Sequence, residues 1–170
     1  MIAAALISVI FVLLLAGKAG ATVVYFDDIP LPEDVQTYIY NRCQETGISF
    51  EFMIALIEQE SEFCADVVSP TGDFGLCQIN RSANEELIHE LGVTSLFDEF
   101  QNIDCAMAIL EELFEKYKEP ELVLMCYNMG EDGARRCWNM GRWESKYSVS
   151  VMRKVWRSKY NEHLHRFYTV

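Results

Sequence analysis

The sequence is 170 residues long, 51% of its residues are hydrophobic, and its formal net charge is −12. This length and apolar content suffice for one compact domain with a hydrophobic core. The acidic charge argues against a nucleic-acid partner, because phosphate backbones are bound by basic surfaces. It also argues against adhesion to anionic polymers or lipid headgroups by charge alone.

The chain begins with an apolar run from Ile2 to Ala16, shorter than the roughly 20 residues that a membrane-spanning helix usually needs. An A-x-A pattern of small residues follows, as in cleaved secretory signals, although no Lys or Arg precedes the run. We therefore expect residues 1–21 to be a signal peptide, with a retained N-terminal anchor as the alternative. Residues 22–35 are expected to form a linker to one domain over residues 36–170. In both cases the protein is predicted to be exported.

Six cysteines and three histidines are present, and no C-x-x-C pair occurs among them. We therefore expect no metal site and no cofactor. An even number of cysteines in an exported chain favours disulfides. The alternative is that several cysteines are small buried hydrophobic residues.

Apolar spacing and turn residues predict a chain of helices that is interrupted once. The predicted helices cover residues 35–47, 49–63, 83–92, 96–118, 120–130 and 147–164. Between the second and third helices, Pro and Gly mark turns, and the run FGLCQI is strand-like. The predicted fold class is therefore α+β and mainly α, with a small β-hairpin between helices.

Three glutamates lie close together in the segment IEQESEF. Glu60 follows Met53 and Ile57 at helical spacing, so it continues an apolar stripe, whereas Glu58 and Glu62 are expected to be ordinary surface charges. A carboxylate on the core-facing side is costly to keep ionised, and a raised pKa suits a general acid. Alone the pattern is weak evidence, because a buried-face Glu is more often paired with Arg or bonded to backbone.

Downstream of Glu60, the segment GDFGLCQIN contains Asp73, Gln78 and Asn80 around a glycine hinge. Strand alternation predicts that Gln78 and Asn80 share one face, so that the polar end of the run lines a groove. Amide side chains both donate and accept hydrogen bonds, which suits sugar hydroxyl and N-acetyl groups. The combination of acid and amides indicates a sugar-binding cleft.

Together these motifs resemble the lytic transglycosylases of the lysozyme-like superfamily, in particular the small specialised enzymes of secretion, conjugation or phage systems. The resemblance extends from about residue 50 to residue 160. The motifs that carry it are ALIEQESEF with Glu60, Ser69 and Gly72 before the hairpin, GLCQI at Gly75 to Ile79, Asn102, YNMG at Tyr127 to Gly130, and the segment from Tyr147 to Trp156. Each motif is weak alone, but their order and spacing agree.

The resemblance implies cleavage of the β-1,4 bond between N-acetylmuramic acid and N-acetylglucosamine in peptidoglycan, with a 1,6-anhydromuramoyl product. Glu60 would protonate the leaving oxygen as general acid. The same carboxylate would then accept the proton of the muramoyl C6 hydroxyl, so that the substrate supplies its own nucleophile.

The resemblance also implies roles around the acid. Ser69, Gln78 and Asn80 would contact the sugar or its N-acetyl group, while Tyr127 and Asn128 would sit by the acid and orient it. Without the resemblance, YN would be interpreted as the end of a helix. Two tryptophans, Trp138 and Trp143, are expected either to stack on sugar rings or to pack on the core.

Asp73 departs from the family pattern, since many members carry a small residue there. The segment DFGLCQIN also resembles a segment of animal-type lysozymes, and two carboxylates flanking the bond are typical of hydrolytic glycosidases. A hydrolysing muramidase that uses Glu60 and Asp73 is therefore the alternative function. An inactive glycan-binding module is a second alternative, which the intact Glu60 disfavours.

Cys64 and Cys77 stand where the family usually has other residues. As a hypothesis, they pair in a disulfide that would stabilise the fold by about 3 kcal/mol. We expect a monomer that acts on peptidoglycan glycan strands and does not bind nucleic acid. Because the chain shows no basic patch and no wall-binding repeat, its N-terminus or a secretion, conjugation or phage assembly partner is expected to position it.

Overall fold

The computed structural model of the protein describes residues 23–168, with side chains up to Arg157. The predicted signal peptide or anchor, residues 1–21, lies outside the described residues. Among the helices that are described, none is both long and apolar enough to cross a membrane.

The described chain forms six helices and one antiparallel hairpin. In order, these are α1 (Glu33–Thr46), α2 (Phe50–Ser61), β1 (Asp73–Phe74), β2 (Ile79–Asn80), α3 (Glu85–Glu90), α4 (Glu99–Tyr117), α5 (Pro120–Asn139) and α6 (Lys146–Tyr168). The predicted class, mainly α with a hairpin after the second helix, is confirmed.

The helix α2 lies at the centre of the core. Its residues 52–57 are all buried, and it packs against both α1 and α6. Ser49 caps the helix by accepting a hydrogen bond from the backbone N–H of Phe52 at 3.2 Å. A helix that is apolar on nearly every side is stable only inside a protein. The polar last turn, residues 58–60, therefore marks where α2 leaves the core.

The helix α5 bends at Gly130, whose φ of 71° and ψ of 159° are not helical. The predicted helix, which ends before Gly130, corresponds to the first half of α5. The chain then resumes a helical course to Asn139, which the sequence interpretation did not expect. Gly130 and its neighbours line the cleft described below, so the kink lies at the cleft.

Residues 23–32, most of the predicted linker, pack against the domain. The side chain of Gln36 is completely buried and donates to the carbonyls of Phe26, Ile29 and Leu31 at 3.3, 3.1 and 2.9 Å. Its oxygen accepts the N–H of Phe26 at 2.9 Å. The folded part of the chain therefore begins earlier than residue 36.

All six cysteines have free thiols, so the hypothesis of a Cys64–Cys77 disulfide is wrong for this structure. Cys64 is exposed after the end of α2, whereas Cys77 is buried in the hairpin turn. The backbone N–H of Cys77 donates to Asn102 Oδ1 at 2.8 Å, which holds the turn against α4. The buried cysteines fit the alternative interpretation, in which they pack as small hydrophobic residues.

Candidate active site

Glu60 lies in the last turn of α2, next to the point where the helix ends in two left-handed residues, Glu62 (φ 51°) and Phe63 (φ 66°). Its carboxylate is half-buried and accepts a hydrogen bond from the Tyr147 hydroxyl of α6. Burial is the main cause that raises the pKa of Glu60 to about 7; the Tyr147 hydrogen bond lowers it, and the charge of Asp73 raises it. A substantial fraction of Glu60 is therefore protonated at neutral pH.

Tyr147 is a site residue to which sequence reasoning gave no role, although it lies in the last recognised motif. It stands four residues before Val151, which is completely buried in the core, so the two share a face of α6. This spacing indicates that Tyr147 faces the core, and it could have identified Tyr147 as a candidate site residue. The partner across the chain could not be predicted from the sequence.

Tyr127 has a different contact from the one expected. Its hydroxyl donates to the carbonyl oxygen of Cys77 at 2.8 Å, which ties α5 to the hairpin turn. Burial, followed by the charges of Cys77 and Glu60, raises the pKa of Tyr127 well above its usual range. Tyr127 thus stays a neutral donor beside Glu60, while the hydrogen bond to the acid comes from Tyr147.

The hairpin pairs Asp73 with Asn80 and Phe74 with Ile79. The prediction of one continuous strand through FGLCQI is wrong, because residues 75–78 form the turn. Gly75 (φ 74°) and Gln78 (φ 49°) both adopt left-handed conformations there. Gln78 therefore does not alternate with Asn80.

The amide of Gln78 stabilises the turn itself. Its Nε2 donates to the carbonyl of Gly75 at 2.9 Å and to that of Val67 at 3.2 Å. Each carbonyl also accepts a backbone N–H, from Gln78 and from Gly75 respectively, so the amide adds a second bond to each. Gln78 still lines the cleft, but its nitrogen is engaged with the protein.

Asn102, which is buried on α4, holds the hairpin against that helix. Its Nδ2 donates to the carbonyls of Phe74 and Leu96, both at 2.8 Å. A Cβ atom at Gly75 would lie 2.3 Å from the carbonyl oxygen of Leu96. Only glycine fits this close approach between the hairpin and the loop that precedes α4.

Asp73 is held by three side-chain donors. Its Oδ2 accepts from Ser69 Oγ and Thr71 Oγ1, both at 2.5 Å, and its Oδ1 accepts from Asn80 Nδ2 at 2.7 Å. Burial opposes ionisation, but the hydrogen bonds from Ser69, Thr71 and Asn80 outweigh it and hold the pKa of Asp73 below its ordinary value. Asp73 is therefore an anion whose two oxygens are already engaged.

An open cleft of about 1500 Å³ runs past these side chains. All the residues predicted for the site line it, namely Glu60, Ser69, Asp73, Gln78, Asn80, Tyr127 and Asn128. Residues of α3, α4 and α5 also line it, among them the charged residues Glu112, Glu131 and Arg135. The cleft can place an extended polar chain across a protonated acid and an anion.

A helical domain with a half-buried acid at the end of its central helix, facing a small hairpin across a cleft, defines a domain of the lysozyme-like class. Residues 37–149 match the family model of the transglycosylase SLT domain. The chain belongs to this family, and the resemblance inferred from the motifs is confirmed.

The chain is also similar to individual known proteins. The chain is 35% identical over 118 residues to membrane-bound lytic murein transglycosylase F of Desulfosudis oleivorans, covering 61% of this chain and 25% of that protein. The structure is similar to an inactive variant of lytic transglycosylase Slt from Pseudomonas aeruginosa, with a TM-score of 0.61 and 19% identity over 75% of this chain and 24% of that one.

The 70 kDa soluble lytic transglycosylase of Escherichia coli is also similar, with a TM-score of 0.54 and 17% identity over 72% of this chain and 22% of that one. At these identities the structural matches show the fold alone. This chain spans about a quarter of the length of each relative.

Proposed function

We propose that this protein is a peptidoglycan lytic transglycosylase that cleaves the bond between N-acetylmuramic acid and N-acetylglucosamine. The observation that carries the proposal is Glu60, whose pKa is raised to about 7 at the wall of the cleft. A carboxylic acid that is protonated near neutral pH can donate to a leaving oxygen and then serve as base. Membership of the transglycosylase SLT domain family supports this choice.

In the proposed reaction, Glu60 donates its proton to the glycosidic oxygen as the bond from that oxygen to the muramoyl C1 breaks. The charge left on the sugar has oxocarbenium character. The Glu60 carboxylate, stabilised by the Tyr147 hydroxyl, then takes the proton of the C6 hydroxyl as O6 attacks C1. The proton returns to Glu60, and the product carries a 1,6-anhydro ring.

Asp73 fits an electrostatic role in this scheme. Its charge faces the same cleft as Glu60 and raises the pKa of the acid. Its oxygens already accept hydrogen bonds from Ser69, Thr71 and Asn80, which lowers their availability as a nucleophile or a base. We assign Asp73 to shaping the hairpin and to stabilising positive charge that develops on the sugar.

Hydrolysis is the second candidate function, because an ionised second carboxylate in the cleft is what an attacking water would need. Digestion of purified peptidoglycan with product analysis separates the two reactions. Anhydromuramoyl ends support transglycosylation, whereas reducing ends would assign the protein as a muramidase. Binding without products would assign it as a glycan-binding module.

The same assay tests Glu60 directly. The Glu60→Gln variant is expected to lose activity by about 10²- to 10⁴-fold, because it can neither donate nor accept the proton. Glu62→Gln is the matched control, since Glu62 is exposed two residues further along the chain. Full activity of Glu60→Gln would refute the mechanism.

We also propose that the chain is exported and acts as a monomer at the cell envelope, with its N-terminus or an assembly partner holding it near the wall. The apolar run at the N-terminus and the acidic charge support this placement. Mass spectrometry of the protein from cell fractions would show whether residues 1–21 are cleaved or retained. An intact N-terminus found in the cytosol alone would contradict export.

A further inference from the structure

An aromatic row lies beside the cleft and is formed by Tyr117 at the end of α4, Trp138 in α5 and Trp143 in the loop before α6. The rings of Trp138 and Trp143 stack almost parallel, with centroids 6.2 Å apart and an interplanar angle of 8°. On its other side Trp138 contacts the ring of Tyr117 at 5.2 Å. Trp138 is half-buried, but Trp143 is 59% exposed. The row therefore ends in an indole that is backed by protein and open to solvent.

Hydrogen bonds connect this row to the cleft wall. The Tyr117 hydroxyl donates to Glu131 Oε2 at 2.5 Å and accepts from Arg135 Nη2 at 3.2 Å. Glu131 and Arg135 both line the cleft, whereas Tyr117, Trp138 and Trp143 do not. The row thus begins at the wall of the cleft and extends outward from it.

The exposed indole has the properties of a sugar-stacking surface. Tryptophan combines a large flat apolar face with a polar N–H, which suits ligands that are apolar on one side and hydroxylated at their edges. Stacking on Trp138 holds the ring in place before any ligand binds, so little side-chain freedom is lost on binding. The sequence left two alternatives for both tryptophans, sugar stacking and core packing. In the structure Trp138 packs against the protein, whereas Trp143 is exposed to solvent.

We propose that Trp143 forms an outer saccharide-binding platform, which takes an N-acetylated hexosamine ring of a glycan strand beyond the cleft. This inference rests on the proposed function, since a glycan must occupy the cleft for its next sugars to reach Trp143. The occupant is the glycan itself, because the aromatic row is continuous with the cleft wall. The platform selects for longer strands and does not contribute to the bond-breaking step.

The test uses the full chain with Glu60→Gln, so that the ligand is not cleaved, and a series of chitooligosaccharides from trimer to octamer. Calorimetric titration should show affinity that rises with length. Adding Trp143→Ala should weaken binding of the longest oligomers by about three- to tenfold, the range of one aromatic contact. The shortest oligomers should bind unchanged. Equal affinity of both proteins at every length would overturn the proposal.

Trp156→Ala provides the matched control, because Trp156 is 65% exposed but lies on α6 and is not part of the row. It should leave the length dependence unchanged, and Trp143→Phe should restore much of it. Thermal melting of each variant identifies any that fails to fold. An equal loss in both alanine variants would overturn a role specific to Trp143.

The two proposals fail in different ways. If the wild-type chain releases no products from peptidoglycan but binds long oligomers through Trp143, the proposed function fails and the platform stands. If products form and Trp143→Ala binds every oligomer as the parent does, the platform fails and the proposed function stands.

Discussion

The two carboxylates of the cleft have opposite environments. Glu60 is half-buried with one hydroxyl donor, and its pKa is raised to about 7. Asp73 accepts three side-chain hydrogen bonds, and its pKa is held below its ordinary value. Groups whose surroundings separate their pKa values in this way suit an acid and a permanent anion. The assignment of roles therefore depends on burial at Glu60 and on hydrogen-bond donors at Asp73.

The pH dependence of cleavage follows from Glu60. Because the first step needs the protonated acid, activity should fall as the pH rises through about 7. In Tyr147→Phe the hydrogen bond that lowers this pKa is gone, so the alkaline limb should move to higher pH. Initial rates on soluble glycan between pH 5 and 9 measure the shift. A limb that moves to lower pH would contradict the role given to Tyr147.

Glu60 should also make the stability of the protein depend on pH. Its pKa rises from an ordinary value of 4.5 to about 7 on folding, so the native state binds more protons than the unfolded state in that interval. Stability therefore falls as the pH rises through it. The melting temperature of Glu60→Gln, relative to wild type, should increase from pH 5 to pH 7. A constant difference would argue against burial as the cause of the shift.

At the level of elements, a polar ladder joins the end of α2 to α6. Three consecutive residues form it, each bonded to α6: Glu58 with Lys154 at 2.6 Å and Arg157 at 2.9 Å, Gln59 with Ser150 at 2.6 Å, and Glu60 with Tyr147. The expectation that Glu58 is an ordinary surface charge is wrong. Its ion pairs hold the two helices that place Tyr147 on Glu60.

Removing an ion pair of Glu58 should lower the free energy of unfolding. Burial disfavours the Glu58 anion, but the hydrogen bonds from Lys154 and Arg157 prevail and lower its pKa. Lys154→Met should therefore cost about 1 kcal/mol at neutral pH. The loss should shrink as the pH falls through the pKa of folded Glu58, where the carboxylate is protonated.

Urea unfolding of Lys154→Met at pH 7 and pH 3 measures this change. Arg153→Met is the control, because it removes the same charge from an exposed neighbour on α6. Equal losses in both variants would show that net charge, and not the ladder, is responsible.

The hairpin offers a second test at this level. Gly75→Ala should destabilise the fold more than Gly47→Ala, although both glycines have positive φ, 74° and 77°. Each variant carries the left-handed penalty of about 1–2 kcal/mol. Only Gly75 faces a backbone atom, with Leu96 O at 2.3 Å from the added Cβ and nothing within 4 Å at Gly47. Overpacking should add about 1–3 kcal/mol, measured by thermal or urea unfolding. Equal costs would mean that the hairpin can move away from Leu96.

At the level of the whole molecule, the segment of residues 23–32 belongs to the folded domain. Besides the Gln36 bonds, Thr37 Oγ1 accepts from the N–H of Val24 at 3.0 Å, and Phe26 contacts the ring of Phe50 at 5.5 Å. The predicted signal peptide or anchor thus directly precedes a folded segment. If residues 1–21 are retained, little free chain separates them from the domain.

Gln36→Leu tests this attachment. The variant removes every side-chain hydrogen bond that Gln36 makes to residues 26–31 and should cost about 1–3 kcal/mol. Limited proteolysis should then cut within residues 23–32 earlier than in wild type. Gln44→Leu is the control, because Gln44 is exposed on the same helix. Unchanged digestion of Gln36→Leu would show that other contacts suffice.

Much of the fold was predictable, because apolar residues that recur every three to four positions indicate a helix with a core-facing side. The prediction succeeded for α2 and α4, where apolar spacing and polar caps agree. It missed the second half of α5 and the turn at Gly75 to Gln78. The turn is held by a distant residue, Asn102 on α4, which bonds to Phe74 and Cys77. In α5, Gly130 leaves the helical conformation but the chain is helical again after it, so the glycine marks a kink and not an end.

The sequence by itself determined the helical class and the position of Glu60 on an apolar stripe, because both depend on local spacing, which is a property of the chain. The other residues predicted to line the cleft came mainly from the motifs that resemble the family. Only the tertiary structure decided that Tyr147 bonds the acid, that Asp73 is held by three donors, and that Glu58 joins two helices. Those contacts link residues far apart in the chain, and burial and hydrogen bonding set a pKa only after the chain has folded.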